Sequence, residues 1–330
     1  MFRRFAAATA VVVAIVGFAG VSPVSAQPVT LFTTVFNTDV AYAGVGGMRS
    51  GDGTGTITLS GVSGKVTKAL LFWHGPTKND DNVNANANVT FAGKAVVGTE
   101  IGVSSSNCWE EAGYTNSYAY RADVTTLVKG NGSYALANFV KNGGVVDING
   151  VSLVVFYDDG NKANNRDVVL FDGNDSNDAF AGPPADPAGW DVSLPNVNYT
   201  SGAASLDMIV SDGQSGDGFD DGAIVVNGTT IVPAGQIFSG DSVPSMGHDN
   251  DGGLWDQKSF AVTSVLKKGK NTLHLTSDEA GDCLSLVVAA VNLPAGSAPN
   301  QPTTTTTTTE PPSTTTTAAQ AVQVAPTFTG

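Results

Sequence analysis

The sequence predicts an all-β protein built of two tandem antiparallel β-sandwiches of jelly-roll type. Short runs of β-branched residues alternate with a period of two, as in Thr54 to Leu59. The chain has 39 glycines, and its Asn-Gly dipeptides are typical of hairpin turns: Asn131-Gly132, Asn149-Gly150 and Asn227-Gly228. The order of these features also recurs along the chain. Patterns with the period of a helix are almost absent.

The first residues have the features of a secretory signal peptide. Arg3 and Arg4 are followed by an apolar run from Phe5 to Val21, and small residues precede a cleavage position after Ala26. The alternative is an uncleaved membrane anchor, but the run is rich in Ala and Gly and short for a span of about 20 residues. We therefore expect residues 1–26 to be removed and the protein to be secreted.

The other end of the chain has the composition of a stalk. Residues 295–330 are rich in Pro, Ser and Thr, with unbroken threonines from Thr303 to Thr309 and from Thr314 to Thr317. Such a segment has almost nothing to bury, so we expect a disordered spacer. The last residues bear only a poor likeness to a Gram-positive sorting signal, so attachment to the cell surface is a hypothesis.

Between these ends the chain is long enough for two β domains. Residues 27–165 are predicted to form the first sandwich and residues 166–294 the second. Each contains an apolar segment, a Gly turn, a strand, a loop and a strongly apolar strand, in that order. The matching segments are Val124 to Gly130, Ser133 to Leu136 and Val151 to Val155 in the first, and Val262 to Gly269, Thr272 to Leu275 and Leu284 to Val288 in the second. We interpret the match as an internal duplication; the alternative is chance reuse of strand and turn chemistry.

The charge balance argues against two classes of partner. The chain has 16 basic and 30 acidic residues, a net charge of -14, and loss of Arg3 and Arg4 moves it to -16. Nucleic acids and anionic membranes are bound through basic patches, so neither is an expected partner. No segment after the signal peptide approaches transmembrane length, so the mature β domains are not expected to insert into a membrane.

Cys108 and Cys283 are the two cysteines of the chain. In an exported protein an even number of cysteines favours pairing, so we predict one disulfide between the two sandwiches. It would close a long loop and stabilise the fold by about 4 to 5 kcal/mol in the chain-entropy model. The alternative is two buried free thiols.

Three segments resemble a known family: Ser117 to Thr125, Ser152 to Asp159 and Val168 to Gly173. They are similar to an uncharacterised extracellular β-rich domain of actinobacterial and archaeal surface proteins, over about Ala41 to Leu293. The resemblance implies secretion, surface display and a β-sandwich fold. It implies no activity, and no catalytic residue is carried over from it.

Acidic loops suggest calcium as a structural cofactor. From Asp158 to Asp256 there are 17 Asp and no Glu, against Lys162 and Arg166 as the basic residues. Ca²⁺ takes about six to eight oxygen ligands from such loops, and none of these is an EF-hand loop. The alternative is that Asp caps turns without any ion. The candidate ligands lie in three clusters: Asp172, Asn174, Asp175 and Asp178; Asp212, Asp217, Asp220 and Asp221; and Asp249, Asp251 and Asp256.

Catalytic motifs are scarce. Glu110 and Glu111 are adjacent, so on an extended strand they would face opposite ways and could not form the facing pair of a glycosidase. His74, His248 and His274 show no zinc-binding spacing, and no Gly-x-Ser-x-Gly elbow is present. We therefore predict no catalytic residue and a protein that is not an enzyme.

Tryptophans beside loops offer a binding surface. Trp109 and Trp255 are the candidate ligand-binding residues, because an indole can stack on a sugar; the alternative is packing at the edge of the core. The leading functional hypothesis is a secreted or surface-attached protein for adhesion or structural display, with an extracellular polysaccharide or surface protein as its partner. The second hypothesis is a calcium-dependent carbohydrate-binding module, and the third is a secreted glycoside hydrolase.

Overall fold

The computed structural model describes residues 27–78, 84–142, 144–177, 189–247, 252–277 and 281–299. The predicted signal peptide lies outside these residues, as do residues 300–330 of the predicted stalk. Asp178, His248, Asp249 and Asp251 also lie outside them. No helix in the described part of the chain is long and apolar enough to cross a membrane.

The described residues form an all-β structure, as predicted, with a few single-turn 3-10 helices. The strands are β1 (Gln27–Val45), β2 (Gly55–Leu59), β3 (Lys65–Thr77), β4 (Asn88–Phe91), β5 (Lys94–Val97), β6 (Thr99–Ser104), β7 (Asn116–Asp123), β8 (Gly132–Ala137), β9 (Gly150–Asp158), β10 (Arg166–Ser176), β11 (Asp191–Tyr199), β12 (Ser205–Ser211), β13 (Ile224–Val226), β14 (Thr229–Val232), β15 (Trp255–Ala261), β16 (Gly269–Ser277) and β17 (Ser285–Pro294).

Three open antiparallel sheets contain these strands. The largest has the order β15-β12-β17-β10-β1-β9-β3-β7-β6, and two four-stranded sheets have the orders β2-β8-β4-β5 and β11-β16-β13-β14. The large sheet contains two equivalent sets of four strands, β1-β9-β3-β7 and β10-β17-β12-β15. In each set, the strands that come first, fourth, second and third along the chain lie side by side in that order. The two smaller sheets have the same arrangement. The first half of the molecule therefore comprises β1 to β9, and the second half comprises β10 to β17.

Strand β1 belongs to both halves. Its first part, from Gln27 to Thr38, pairs with β10, whereas its second part, from Asp39 to Val45, pairs with β9. Asn37 lies at the change of partner with a φ of 50°, a left-handed conformation that asparagine tolerates better than most residues. Its N–H donates to Asp167 Oδ1 at 3.1 Å. One bent strand thus joins the two halves.

Each half has its own core, and a third cluster lies between the halves. Trp73 and Phe91 lie in the first core, and Trp190 and Phe238 lie in the second. The third cluster combines residues from both halves of the large sheet, including Phe72, Phe156, Leu170, Trp255 and Val288. The large sheet is therefore buried on both faces, which explains why β9 and β17 are almost continuously apolar rather than alternating.

Two Asn-Gly dipeptides illustrate different uses of glycine. Asn227 and Gly228 have φ of 53° and 72° and form the predicted hairpin turn between β13 and β14. Gly150 instead begins β9, where a Cβ atom would lie 2.3 Å from Cγ of Trp255. The prediction of a hairpin turn at Asn149-Gly150 was therefore wrong. Close packing against the Trp255 indole, and not a turn, requires this glycine.

The two predicted sandwiches meet within one compact unit that extends to Pro299. Their separation at residue 165 remains a prediction, since the shared strand and the interface cluster join the parts on either side of it.

Candidate functional site

A buried polar cluster lies between the two halves, and we call it the polar seam. It consists of Arg49, His74 and Asn149 from the first half with Ser211 and Asp212 from the second. His74 Nδ1 lies 2.7 Å from Ser211 Oγ. The Asn149 amide donates to Ser211 Oγ at 2.9 Å and to Asp212 Oδ1 at 3.0 Å. Four side chains from distant parts of the chain thus form one connected hydrogen-bond network.

The polar seam contains a buried ion pair, which lies next to Trp109. Arg49 Nη2 lies 3.2 Å from Asp212 Oδ1, and its Nε donates to Asn149 Oδ1 at 3.1 Å. The guanidinium lies 4.1 Å from the centroid of the half-buried Trp109 ring, and Trp109 Nε1 donates to Asp212 Oδ2 at 2.6 Å. A buried ion pair is tolerated when further hydrogen bonds offset its desolvation, and Asn149 and Trp109 supply them.

His74 is held neutral within the seam. Burial and, to a smaller extent, the Arg49 charge lower the pKa of its imidazole to about 3, although a hydrogen bond with Asn174 opposes them. The Ser211 hydroxyl accepts from Asn149 and can donate its hydrogen to Nδ1 of the neutral ring. A Ser–His contact of this kind is the start of nucleophile activation. Here, however, His74 is 1% exposed and Ser211 is fully buried, so neither side chain is open to solvent.

No pattern in the sequence predicted the polar seam. His74 has no second histidine at a metal-binding spacing, and Ser211 lies in no nucleophile motif. The two residues are 137 positions apart and meet only because β3 and β12 belong to halves that pack together.

The predicted disulfide between Cys108 and Cys283 is present, with a Cα–Cα distance of 6.0 Å. Next to it, Asp282 Oδ2 accepts from the backbone N–H of Gln214 at 2.9 Å. Burial, with a smaller contribution from the charges of Asp212 and Asp221, raises the pKa of Asp282 to about 9, although its hydrogen bonds from the Gln214 and Cys283 N–H groups oppose the rise. This carboxyl is therefore protonated at neutral pH.

In the first predicted calcium cluster, Asp172 and Asn174 bind other protein groups. The Asp172 carboxylate accepts from Arg121, and burial raises its pKa although the Arg121 hydrogen bond and charge lower it. The Asn174 amide donates to the carbonyl and hydroxyl oxygens of Ser117 at 3.0 and 3.1 Å. Asp175 is buried.

The second cluster is divided between the interior and the surface. Asp212 belongs to the polar seam, while Asp221 Oδ2 accepts from the backbone N–H groups of Ile237 at 2.7 Å and Phe238 at 2.6 Å. Burial raises the pKa of Asp221 to about 7. Asp217 and Asp220 are exposed in the same loop. The four carboxylates are not brought together.

In the third cluster, the described residue Asp256 is fully buried. It accepts from the backbone N–H groups of Gly240 at 2.7 Å and Ser242 at 3.2 Å, and burial raises its pKa. Within the described residues, no group of three or more His, Cys, Asp or Glu side chains is arranged to hold a metal ion. Asp221 and Asp256 accept from backbone N–H groups 14 to 17 residues away in the chain, whereas Asp172 and Asp212 accept from side chains.

The predicted ligand-binding residue Trp255 and the two glutamates considered for catalysis have different surroundings. Trp255 is fully buried, and its Nε1 donates to Ser152 Oγ at 2.8 Å. It presents no ring face to solvent, which corrects the ligand-binding role predicted for it. Glu110 and Glu111 lie in a single-turn 3-10 helix, Glu110–Ala112, rather than on the strand assumed above, and Glu111 is exposed.

Comparison with known proteins identifies a family but no activity. A family model described as "Protein of unknown function (DUF3344)" matches residues 29–293. No curated protein matches the sequence. The chain is similar to a solved peptide-N(4)-(N-acetyl-β-D-glucosaminyl) asparagine amidase at 13% identity, covering 84% of this chain and 98% of that one, with a TM-score of 0.31. PNGF-II is similar at 13% identity, over 85% of this chain and 63% of that one, with a TM-score of 0.30. These scores are too low to support a conclusion about function.

Proposed function

Because the chain belongs to the family of unknown function DUF3344, its role has to be argued from its own residues, and we propose a secreted, non-catalytic protein for adhesion or structural display. The polar seam is the observation that carries this proposal. Its histidine, serine and aspartate are of the types used in nucleophilic catalysis, but here they and Arg49 are buried and hydrogen-bonded across the two halves.

A rigid presenting body is supported by three separate links between the halves. Strand β1 is shared, the Cys108–Cys283 disulfide spans them, and the Arg49–Asp212 ion pair lies between them. A disulfide that closes so long a loop is typical of proteins outside the cytosol. In this proposal the signal peptide directs export and the Thr/Pro-rich segment holds the body away from the envelope.

We also infer that the halves are jelly rolls related by internal duplication. Each half has four strands in the large sheet and four in a smaller sheet, and equivalent strands follow one another along the chain in the same order. Strand β6 is the exception, because it has no counterpart in the second half. Two sheets exchanging strands in this way are the arrangement of a jelly roll.

Two alternatives remain as proposals. Of the two tryptophans predicted to stack on a sugar, Trp109 is the candidate left, since Trp255 is buried. A calcium ion would have to use exposed Asp217 and Asp220 or ligands outside the described residues. Thermal unfolding of the secreted chain in EDTA and then in millimolar Ca²⁺ tests the ion. A higher midpoint with Ca²⁺ supports the site, and an unchanged midpoint removes it.

The non-catalytic proposal is tested with two variants of the seam. The wild-type protein, Ser211→Ala and His74→Gln are incubated with panels of glycosidase and peptidase substrates, and their thermal midpoints are measured. We expect no turnover by any of them and lower midpoints for both variants, because a buried hydrogen bond is lost. Thr230→Ala on the exposed strand β14 is the matched control. Turnover that Ser211→Ala abolishes without a change in midpoint would overturn the proposal.

A further inference from the structure

A cleft open to solvent lies between the two halves and is distinct from the polar seam. Its volume is about 210 Å³. One side is formed by Tyr42 on the second part of β1, and the other by residues of β12 and β15. We call it the Asp207 cleft; the residues that line it are Tyr42, Asp207, Met208, Gln257, Lys258 and Ser259.

Asp207 fixes the direction of the hydroxyl groups around it. Its Oδ1 accepts from the hydroxyls of Ser205 at 3.0 Å and of Ser259, and its Oδ2 accepts from Tyr42 Oη at 3.1 Å. Burial and the Asp207 charge raise the pKa of Tyr42 well above its usual value, so the phenol stays protonated and remains a donor. Each hydroxyl has one hydrogen, and Asp207 receives it. The Tyr42 and Ser259 oxygens can therefore only accept from a ligand.

Gln257 also offers a hydrogen-bond acceptor to a ligand. Its amide nitrogen donates to the carbonyl oxygen of Ala43 at 3.1 Å and to Ser152 Oγ at 2.6 Å. Both amide hydrogens are thereby used, which leaves Oε1 as an acceptor. Lys258 instead supplies hydrogen-bond donors. Its ammonium group has three hydrogens, and the structure shows one hydrogen bond from Nζ, to the carbonyl oxygen of Ile237. Asp256 Oδ1 lies 4.0 Å from Nζ.

We propose that the Asp207 cleft binds a neutral, hydroxyl-rich ligand of the size of one sugar unit. Its acceptors require a ligand with donors, and Lys258 requires one that also accepts; a hydroxyl does both. The Lys258 charge disfavours ammonium ligands, and the Asp207 charge disfavours anions. The volume is below the roughly 300 to 1,000 Å³ of pockets for drug-sized ligands, so a single ring fits it better than a longer chain.

This site is independent of calcium and of the predicted tryptophans. It also goes beyond the proposed display function, since a scaffold needs no such cleft. A ligand here would contact both halves of the molecule at once.

The test is saturation-transfer NMR on the full mature chain, with glucose, galactose, mannose and N-acetylglucosamine as separate probes. We expect transfer to at least one sugar and its loss in Ser259→Trp, because an indole on this exposed position fills the cleft. Thr230→Trp on β14 is the matched control and retains the signal. Ser259→Ala removes one acceptor and weakens binding by about 3- to 10-fold, which serves as the test if Ser259→Trp does not fold.

Three results would overturn the proposal. They are the absence of transfer to any of the four sugars at tens of millimolar, equal transfer in the wild-type protein and Ser259→Trp, and Ser259-dependent binding of methylammonium or acetate in preference to the sugars.

Discussion

Asp212 shows how far the role of a residue depends on partners that are distant in the chain. Its loop composition predicted a calcium ligand, but its carboxylate receives the Arg49 guanidinium, the Asn149 amide and the Trp109 indole. Arg49 precedes it by 163 residues. A local pattern reports which carboxylates are present, but the partner that neutralises each one is set by packing between the halves. The same limit applies to Trp255, whose place beside a loop did not reveal its burial.

Asp282 makes stability depend on pH in the alkaline range. Its folded pKa is raised to about 9, far above the unfolded value of about 3.9, so the folded state holds a proton that the unfolded state has lost. Stability from this group is complete below pH 4 and is lost as pH rises towards 9. Between pH 7 and pH 9 we expect the free energy of unfolding to fall by about 2 kcal/mol.

Urea unfolding at pH 7, 8 and 9 measures this fall. Asp282→Asn resembles the protonated carboxyl and should remove most of the fall, leaving the small part that Asp221 contributes near its pKa of about 7. Asp217→Asn in an exposed turn should leave the profile unchanged. The window lies above the ordinary pKa of histidine, so His74 does not contribute to it. An equally steep profile in Asp282→Asn would show that another group is responsible.

At the scale of the elements, the sequence was most informative where a strand packs in a simple way. The alternation of β2 and the apolar runs of β9 and β17 were recognised as strands, because burial on one or both faces leaves a direct pattern in the sequence. Strand β1 was not recognised as one long element. Its two parts have different partners, and its bend has no local signal other than Asn37.

The bend in β1 can be tested at Asn37. Asn37→Val places a β-branched side chain in a left-handed conformation, and we expect a loss of about 1 to 2 kcal/mol in the free energy of unfolding. Asn37→Gly removes the same side chain but tolerates the conformation, so it should be much less destabilising. Urea unfolding of the two variants makes the comparison. Equal losses would mean that side-chain contacts, and not backbone conformation, determine the effect.

At the scale of the whole molecule, composition and cysteine count were sufficient to predict an all-β structure with one disulfide. The sequence did not predict that the two sandwiches would share a strand and a sheet. Duplication suggests independent copies, whereas the hydrogen bonds between β1 and β10 join them edge to edge. Such pairing depends on geometry between copies, which repetition along the chain does not encode.

The disulfide can be removed without separating the halves. We expect the double variant Cys108→Ser/Cys283→Ser to lose up to about 5 kcal/mol of unfolding free energy, because the unfolded chain is no longer closed into a long loop. Unfolding should nevertheless remain a single transition, since β1 and the polar seam still join the halves. Urea curves followed by tryptophan fluorescence and by circular dichroism check this. Two separate transitions would show that the disulfide alone couples the halves.

The shared strand also affects the order in which the molecule can be assembled. The chain emerges from its N-terminal end, so β1 is available before β10, whose Asp167 follows Asn37 by 130 residues. Strand β9 can pair with Asp39 to Val45 once the first half is complete, whereas Gln27 to Thr38 has no strand partner until β10 is made. We therefore expect nascent intermediates to carry a strand that another chain can pair with until β10 takes its place.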